Sequence, residues 1–373
     1  MPTVSAGACA LRSKRLLDLL HRYGLDAAII TDVRDIYYFT GVLLPAEFPA
    51  ALKLDAAGQS ILVGPKGHES SSVPEWIGYP WNHRGTRNLE VAGAYVRMLI
   101  EALGRNKYRT LGVQKDALRH RVSEMFHFDG TSLMGIDAPI AEMQRRKDAD
   151  EVEMIRASVR ANLGAYERVH AAIRPGVSEL DVLAAGIRGA MEVSGEKVFH
   201  DGDYQCGTYN GPARNRRIEA GELYIVDAWT CYRGHWSDMS RTFFVGAGPS
   251  DAQISLFDHV RKVLREAAKL LKPGVDGQHV FRALDEMIRE HPSLADDGLI
   301  HHGGHAIGLR SHEMPDINLG RGGALEPGNV ICIEPGGYFT DARYGVRLEN
   351  MYLITEDGCD DLCPGELALH ECP

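Results

Sequence analysis

The sequence predicts an α+β protein of two domains: a smaller α/β domain over residues 1–138 and a larger domain over residues 139–373. Three observations carry this. The chain has 373 residues, more than one hydrophobic core usually serves. Its first third alternates helical and strand-like segments. Near Pro139 the texture changes to a long, charged, amphipathic run, after which the apolar segments become rich in β-branched and aromatic residues.

The elements follow in order. Residues 10–23 carry Leu11, Leu16, Leu17, Leu19 and Leu20 at helical spacing, and Gly24 stops the helix. DAAIIT (26–31) reads as a buried strand, and DVRDIYYFTGV as a short helix with a polar start, ending at Gly41. Strands are expected at 50–54, 60–64 and 110–113, with a helix near 88–103. The run from Pro139 is helical with a break near Arg145 to Asp148, which places the domain boundary around 137–145. RPGVSELDV (174–182) reads as a turn and a helix N-terminus capped by Ser178. KPGVDGQHVFRAL (272–284) repeats that organisation, a hint of two related halves. LYIVDAWTCY (223–232), MSRTFFVG (239–246), NVICIEPGGYF (329–339) and YGVRLENMYLIT (344–355) read as strands.

Composition narrows the function. A net charge of −10 argues against nucleic acid and against anionic membranes as partners. No segment has the apolar length of a secretory signal or a bilayer span. The seven cysteines are odd in number and form no Cys-x-x-Cys pair, which favours reduced thiols in a cytoplasmic protein. Cys359, Cys363, His370 and Cys372 can be drawn as a zinc site, but they lack the paired short spacings of one.

Five residues stand where solvation cost argues against a purely structural role. Asp227 lies inside the apolar strand YIVDAW, Glu334 ends VICIE, and Glu349 lies in GVRLENMYLI. Asp238 precedes SRTFF, and His305 sits in the glycine-flanked HHGGHAIG. A carboxylate in a central strand is expensive unless paired or metal-bound. Four carboxylates and a neutral imidazole carry a charge that two divalent ions balance, and such donors suit Mn²⁺, Co²⁺ or Zn²⁺ in pairs.

These residues, in this order and context, resemble the pita-bread-fold metallopeptidases: aminopeptidase P, prolidase, methionine aminopeptidase and the metal-free relative creatinase. The matching segments are IVDAW, SDMSRTF, HHGGHAIGLRSHEMP, IEPG and VRLEN. DAAIITDVRDIYYFTGV and QRRKDADEVEMIRAS are similar to the family's creatinase-type N-terminal domain and to the opening of its catalytic domain. The resemblance implies a C-terminal pita-bread domain that cleaves peptide bonds, most often before proline, with a metal-bridging hydroxide. It implies two divalent ions per chain, Mn²⁺ first and Co²⁺ or Zn²⁺ as alternatives, held by Asp227, Asp238, His305, Glu334 and Glu349. Asp227 would hold one ion, His305 and Glu334 the other, and Asp238 and Glu349 both. Glu334 would shuttle the proton, His312 would stabilise the tetrahedral intermediate, His301 would line the pocket and Arg347 would support the site. A homodimer is also implied.

The chain departs from the family pattern in its pocket. The Pro-His segment expected before the first aspartate reads Pro212-Ala213-Arg214, and His200 lies too far upstream to replace the histidine. Trp229 stands where a small residue is usual, and His235 and Trp236 precede Ser237-Asp238. Arg214 is a candidate for binding a substrate carboxylate, and Trp229 for reshaping the cleft. The alternatives are a creatinase-like hydrolase of a small non-peptide amide, or a non-catalytic binding protein on the same fold.

Overall fold

The computed structural model describes every residue except 1, 46, 69, 71, 82–90, 104–107, 118–129, 209–210, 247, 340–343, 366 and 373. It divides into two compact units, Thr3–Gln144 and Arg145–Pro373, the latter joined by residues 1 and 2.

In the N-terminal unit a helix spans Ala6–Tyr23, between the Ser5 hydroxyl, which accepts from Ala8 N, and Gly24 at φ 62°. Strand β1 (Ala27–Ile30) leads into the helix Val33–Thr40. Then come β2 (Ala51–Asp55), β3 (Ser60–Pro65), β4 (Glu75–Tyr79), a helix Val91–Leu103, β5 (Thr110–Val113) and β6 (Ser132–Gly135). These form one sheet in the order β4-β3-β2-β1-β5-β6. Strands β4 and β6 were not expected from the sequence, because EWIGY and SLMG are short and lack alternation. The first residues of the helix expected near 88–103 lie outside the described residues. Ala27, Ile29, Val63, Leu99, Leu111 and Val113 form the core under the sheet. The helix Asp137–Arg145 ends this unit at the boundary.

The C-terminal unit opens with the helix Ala149–Ala172, started by a reciprocal Asp148–Glu151 capping box. The helix Glu179–Ser194 starts from a Ser178–Asp181 box. Gly164 and Gly189 let these two helices touch: a Cβ on Gly189 would lie 2.2 Å from Gly164 O. Strands β7 (Phe199–Asp203), β8 (Leu223–Tyr232) and β9 (His235–Val245) follow, then helices Asp251–Ala268 and Gly277–Arg289. Both Pro-Gly turns place glycine at positive φ, Gly176 at 86° and Gly274 at 84°, and each is followed by a capped helix and antiparallel strands. The repeated organisation is therefore present in three dimensions.

The remaining strands are β10 (Gly304–Ala306), β11 (Glu313–Ile317), β12 (Val330–Ile333), β13 (Gly336–Phe339), β14 (Tyr344–Arg347), β15 (Asn350–Ile354), β16 (Cys359–Asp361) and β17 (His370–Cys372). They join β17-β9-β8-β7, β11-β10-β12-β15-β16 and the pair β13-β14. Residues 329–339 and 344–355 were each expected as one strand, and each is two. Pro335 has no N–H to continue a ladder, so β12 stops at Ile333. Pairing ends at Ile333↔Asn350 and resumes at Gly336↔Arg347, so Glu334 and Glu349 occupy one break shared by two strand pairs. Glu349 thus lies between strands, where the sequence suggested a strand interior. Two cores back the sheets, one around Leu256, Val260, Ile331 and Ile333, the other around Ile155, Val226, Met239 and Cys332.

Candidate metal centre

Strands β8 and β9 form a hairpin closed by Arg233, at φ 45°, and Gly234, at φ 85°. Its register sets Asp227 opposite Ser240 and Trp229 opposite Asp238. Side chains two apart on a strand share a face, so Asp227, Trp229, Asp238 and Ser240 project together. Glu349 is stitched alongside because its N–H donates to Ser240 O at 3.1 Å. Glu334 N donates to Gly303 O at 3.1 Å, which brings the end of β12 beside β10 and His305. Gly304, at φ 145°, makes this possible: a Cβ there would lie 1.9 Å from Cys332 O.

The break, the hairpin and β10 gather the five predicted ligands. Asp227, Asp238 and Glu349 place carboxylate oxygens within 4.8 Å of one another, and His305, Cys332 and Glu349 form a second such group. His305 Nε2 stands 3.8 Å from Glu334 Oε1 and 4.0 Å from Asp238 Oδ2. All five are buried. Asp227 Oδ1, Asp238 Oδ1 and Glu349 Oε1 are buried without a hydrogen-bond partner.

The electrostatics of the bare chain are unfavourable. Burial, then the charges of Asp227 and Glu334, push the Asp238 carboxyl well above its ordinary range. Burial and Asp238 do the same to Glu349. Burial pushes Glu334 up to about 8 although Arg347 pulls the other way. Burial holds His305 down to about 3, so it presents a neutral imidazole. Hard oxygens without partners beside a neutral imidazole are the donor set that divalent cations take. The residues present fit such ions.

Around these five lies a hydrogen-bonded collar. Arg347 Nη1 donates to Asp227 Oδ2 at 2.5 Å, and Arg347 Nε to Tyr338 OH at 2.8 Å. Tyr338 OH also meets His301 Nε2 at 2.8 Å. His301 is therefore tied to Arg347 through Tyr338, and its Nδ1 is 4.0 Å from Glu334. His312 stacks on His305 with ring centroids 3.8 Å apart and is exposed on its other side. Trp229 is partly buried on the face that carries Asp227.

Arg214 stands apart from this group. It donates from Nε (3.0 Å) and Nη2 (2.6 Å) to the buried Glu179, and from Nη2 to Cys206 O. Its guanidinium ties Cys206 O to the buried Glu179. His235 is buried at the hairpin end, and His200 is held between Thr230 and Tyr204. Cys359, Cys363 and Cys372 each meet a separate backbone group, and with His370 they form no metal-holding group among the described residues.

A model of the metallopeptidase family M24 matches residues 153–356, and one of the creatinase/prolidase N-terminal domain matches residues 12–145. The chain belongs to metallopeptidase family M24. It is 28% identical to an uncharacterized peptidase of Staphylococcus aureus (strain USA300), over 93% of this chain and 97% of that one. In fold it is similar to the prolidase from Pyrococcus furiosus, with a TM-score of 0.76 at 24% identity over 94% of this chain and 99% of that one. It is also similar to an Xaa-Pro dipeptidase from Bacillus anthracis, with a TM-score of 0.80 at 20% identity over 97% and 99%. The M24 chain is therefore a metallopeptidase of the pita-bread fold with a creatinase-type N-terminal domain, and the family uses divalent metal.

Three residues of this M24 site were not singled out from the sequence. Asp203 pairs with Asp227 across β7 and β8, 3.9 Å from Arg347, and burial and Asp227 push its carboxyl up to about 6. Tyr338 joins His301 to Arg347. Cys332 lies two residues before Glu334 in VICIE, so the strand period alone puts it on the face of Glu334. FHDGD carried a signal in its paired acids, whereas Tyr338 carried none.

Proposed function

We propose that this chain is a dinuclear-metal peptidase that cleaves Xaa-Pro bonds. The observation that carries it is the convergence of Asp227, Asp238 and Glu349, each with a buried carboxylate oxygen lacking a partner, beside His305 and Glu334. Asp227 would hold one ion, His305 and Glu334 the second, and Asp238 and Glu349 both. The carboxylate majority favours Mn²⁺, with Co²⁺ and Zn²⁺ as alternatives. Two such ions supply a water of lowered pKa and polarise the scissile carbonyl.

The chain does the rest. Glu334, ionised beside the ions and 3.8 Å from His305 Nε2, takes the proton of the attacking water and hands it to the leaving nitrogen. His312, stacked on His305 and open to the outside, donates a hydrogen bond to the carbonyl oxygen as charge develops on it. Arg347 fixes Asp227, and Tyr338 passes that constraint to His301, which lines the pocket. Trp229 offers a flat apolar wall for a proline ring. The prolidase and Xaa-Pro dipeptidase among its structural neighbours support a proline-directed substrate. A homodimer follows from the family resemblance. A cytoplasmic location is supported by seven free cysteines. Among the described residues no helix is long and apolar enough to cross a membrane.

Purified chain with Mn²⁺ is assayed against Xaa-Pro dipeptides, longer Xaa-Pro peptides and matched Xaa-Ala peptides. Cleavage confined to the proline series, and abolished by a chelator, is expected. Two bound metals with no peptide cleaved would shift the reading to a small-amide hydrolase.

A further inference from the structure

The two metal-holding groups share Glu349 and differ in the rest of their donors. One is all carboxylate. The other contains a sulfur atom, that of Cys332. Cys332 is fully buried on β12, and its Sγ lies within 4.8 Å of a His305 nitrogen and a Glu349 oxygen. Glu349 is 1% exposed and its Oε1 is buried without a hydrogen-bond partner, while the Cys332 thiol lies close enough to interact with the Glu349 carboxyl. The neighbourhood is sulfur-rich. Met351 lies opposite Cys332 in the register, and its Sδ accepts the N–H of Asp238 at 3.3 Å. Among the described residues no other cysteine belongs to such a group.

We propose that Cys332 is a metal ligand, and that it divides the centre into two chemically unlike positions. His305, Cys332 and Glu349 form a thiophilic position for Zn²⁺, Co²⁺ or Cd²⁺. Asp227, Asp238 and Glu349 form a hard position for Mn²⁺. This rests on the two-cation reading of the site and deepens it. A nitrogen–sulfur–oxygen set selects borderline and soft cations, whereas three carboxylates select hard ones. Glu334 Oε1, 3.8 Å from His305 Nε2, and the shared Asp238, whose Oδ2 is 4.0 Å from it, would complete the donors of this position. On coordination the Sγ–metal bond replaces the S–H bond and the proton leaves to solvent, with no change of oxidation state. The enzyme would then be heterometallic when both kinds of cation are offered.

The test is cadmium binding to the metal-free full-length protein, with and without Mn²⁺. Wild type should develop a cadmium–thiolate ultraviolet band with the first equivalent, and this band should be missing in Cys332→Ser. The preference for Cd²⁺ over Mn²⁺ should fall by about tenfold or more in that variant, with Mn²⁺ affinity retained. A band and a preference unchanged in Cys332→Ser would overturn the proposal. Cadmium-113 resonance on wild type alone guards against a variant that fails to fold. One sulfur-shifted and one oxygen-type resonance are expected, and two oxygen-type resonances would overturn the proposal. If two cations bind and neither sees sulfur, only the role of Cys332 fails. If no cation binds, the two-cation reading fails with it.

Discussion

Stripping divalent cations should make this protein lose stability as the medium turns alkaline, and the size of the loss follows from the site. Burial pushes Glu334 up to about 8, and pushes Asp238 and Glu349 the same way. In the unfolded chain these carboxyls ionise near their ordinary values, so at neutral pH the folded state holds protons that the unfolded state lacks. A folded pKa above the unfolded one gives stability that is lost as pH rises through the folded value. His305 and His301, both held down to about 3, are neutral in the folded state and largely neutral in the unfolded state from pH 7 upward, so they offset only about 0.1–0.2 kcal/mol each in this window. Between pH 7 and 8, Glu334 alone costs about 1 kcal/mol, and any proton held by Asp238 or Glu349 acts in the same direction. The metal-free protein should therefore lose about 1 kcal/mol or more across that interval. With Mn²⁺ bound the carboxylates are already ionised, and the dependence should vanish. Urea unfolding of chelated and Mn²⁺-loaded protein at pH 7, 7.5 and 8 reads this directly. Stability of the chelated protein that stays flat or rises over this interval would refute the reasoning.

Other outcomes follow from single contacts. Asp238→Asn keeps the size of the side chain but removes the charge, and peptide hydrolysis should fall by about 1,000-fold or more, read as kcat/KM under saturating Mn²⁺. Arg347→Met leaves the buried Asp227 carboxylate without its 2.5 Å partner, and the metal-free protein should lose about 3–5 kcal/mol in urea unfolding. Arg347→Lys should not restore activity, because one ammonium cannot meet Asp227 and Tyr338 together. Gly304→Ala drives a Cβ to 1.9 Å from Cys332 O, so the soluble yield and melting temperature should both collapse.

Much of this was legible in the sequence because its signals are local. Capping residues such as Ser178 and stop glycines such as Gly24 act within a turn of their position and can be read directly. The five candidate ligands were legible as a cluster because an ionisable residue in an apolar run is conspicuous wherever it falls. The strand break at Glu334 and Glu349 was partly visible in Pro335, but Leu348–Glu349 contains no breaker. That interruption is imposed by the bridge to Ser240 across the hairpin, a contact distant in sequence. Arg214 illustrates the same limit. Its candidacy rested on its place in the chain, whereas its partner Glu179 lies on a helix 35 residues upstream. Tyr338 was silent for a similar reason, since a tyrosine in a strand is ordinary until Arg347 and His301 are seen to meet its hydroxyl.

The central claim is that five buried side chains converge because two dications bind among them. Elemental analysis after dialysis against Mn²⁺ tests this most directly, with wild type and Asp238→Asn prepared side by side. The account predicts two metals per wild-type chain, and fewer in the variant, whose substituted side chain would otherwise bridge both ions. A wild-type chain that retains none, or a variant that retains as many as wild type, would contradict it.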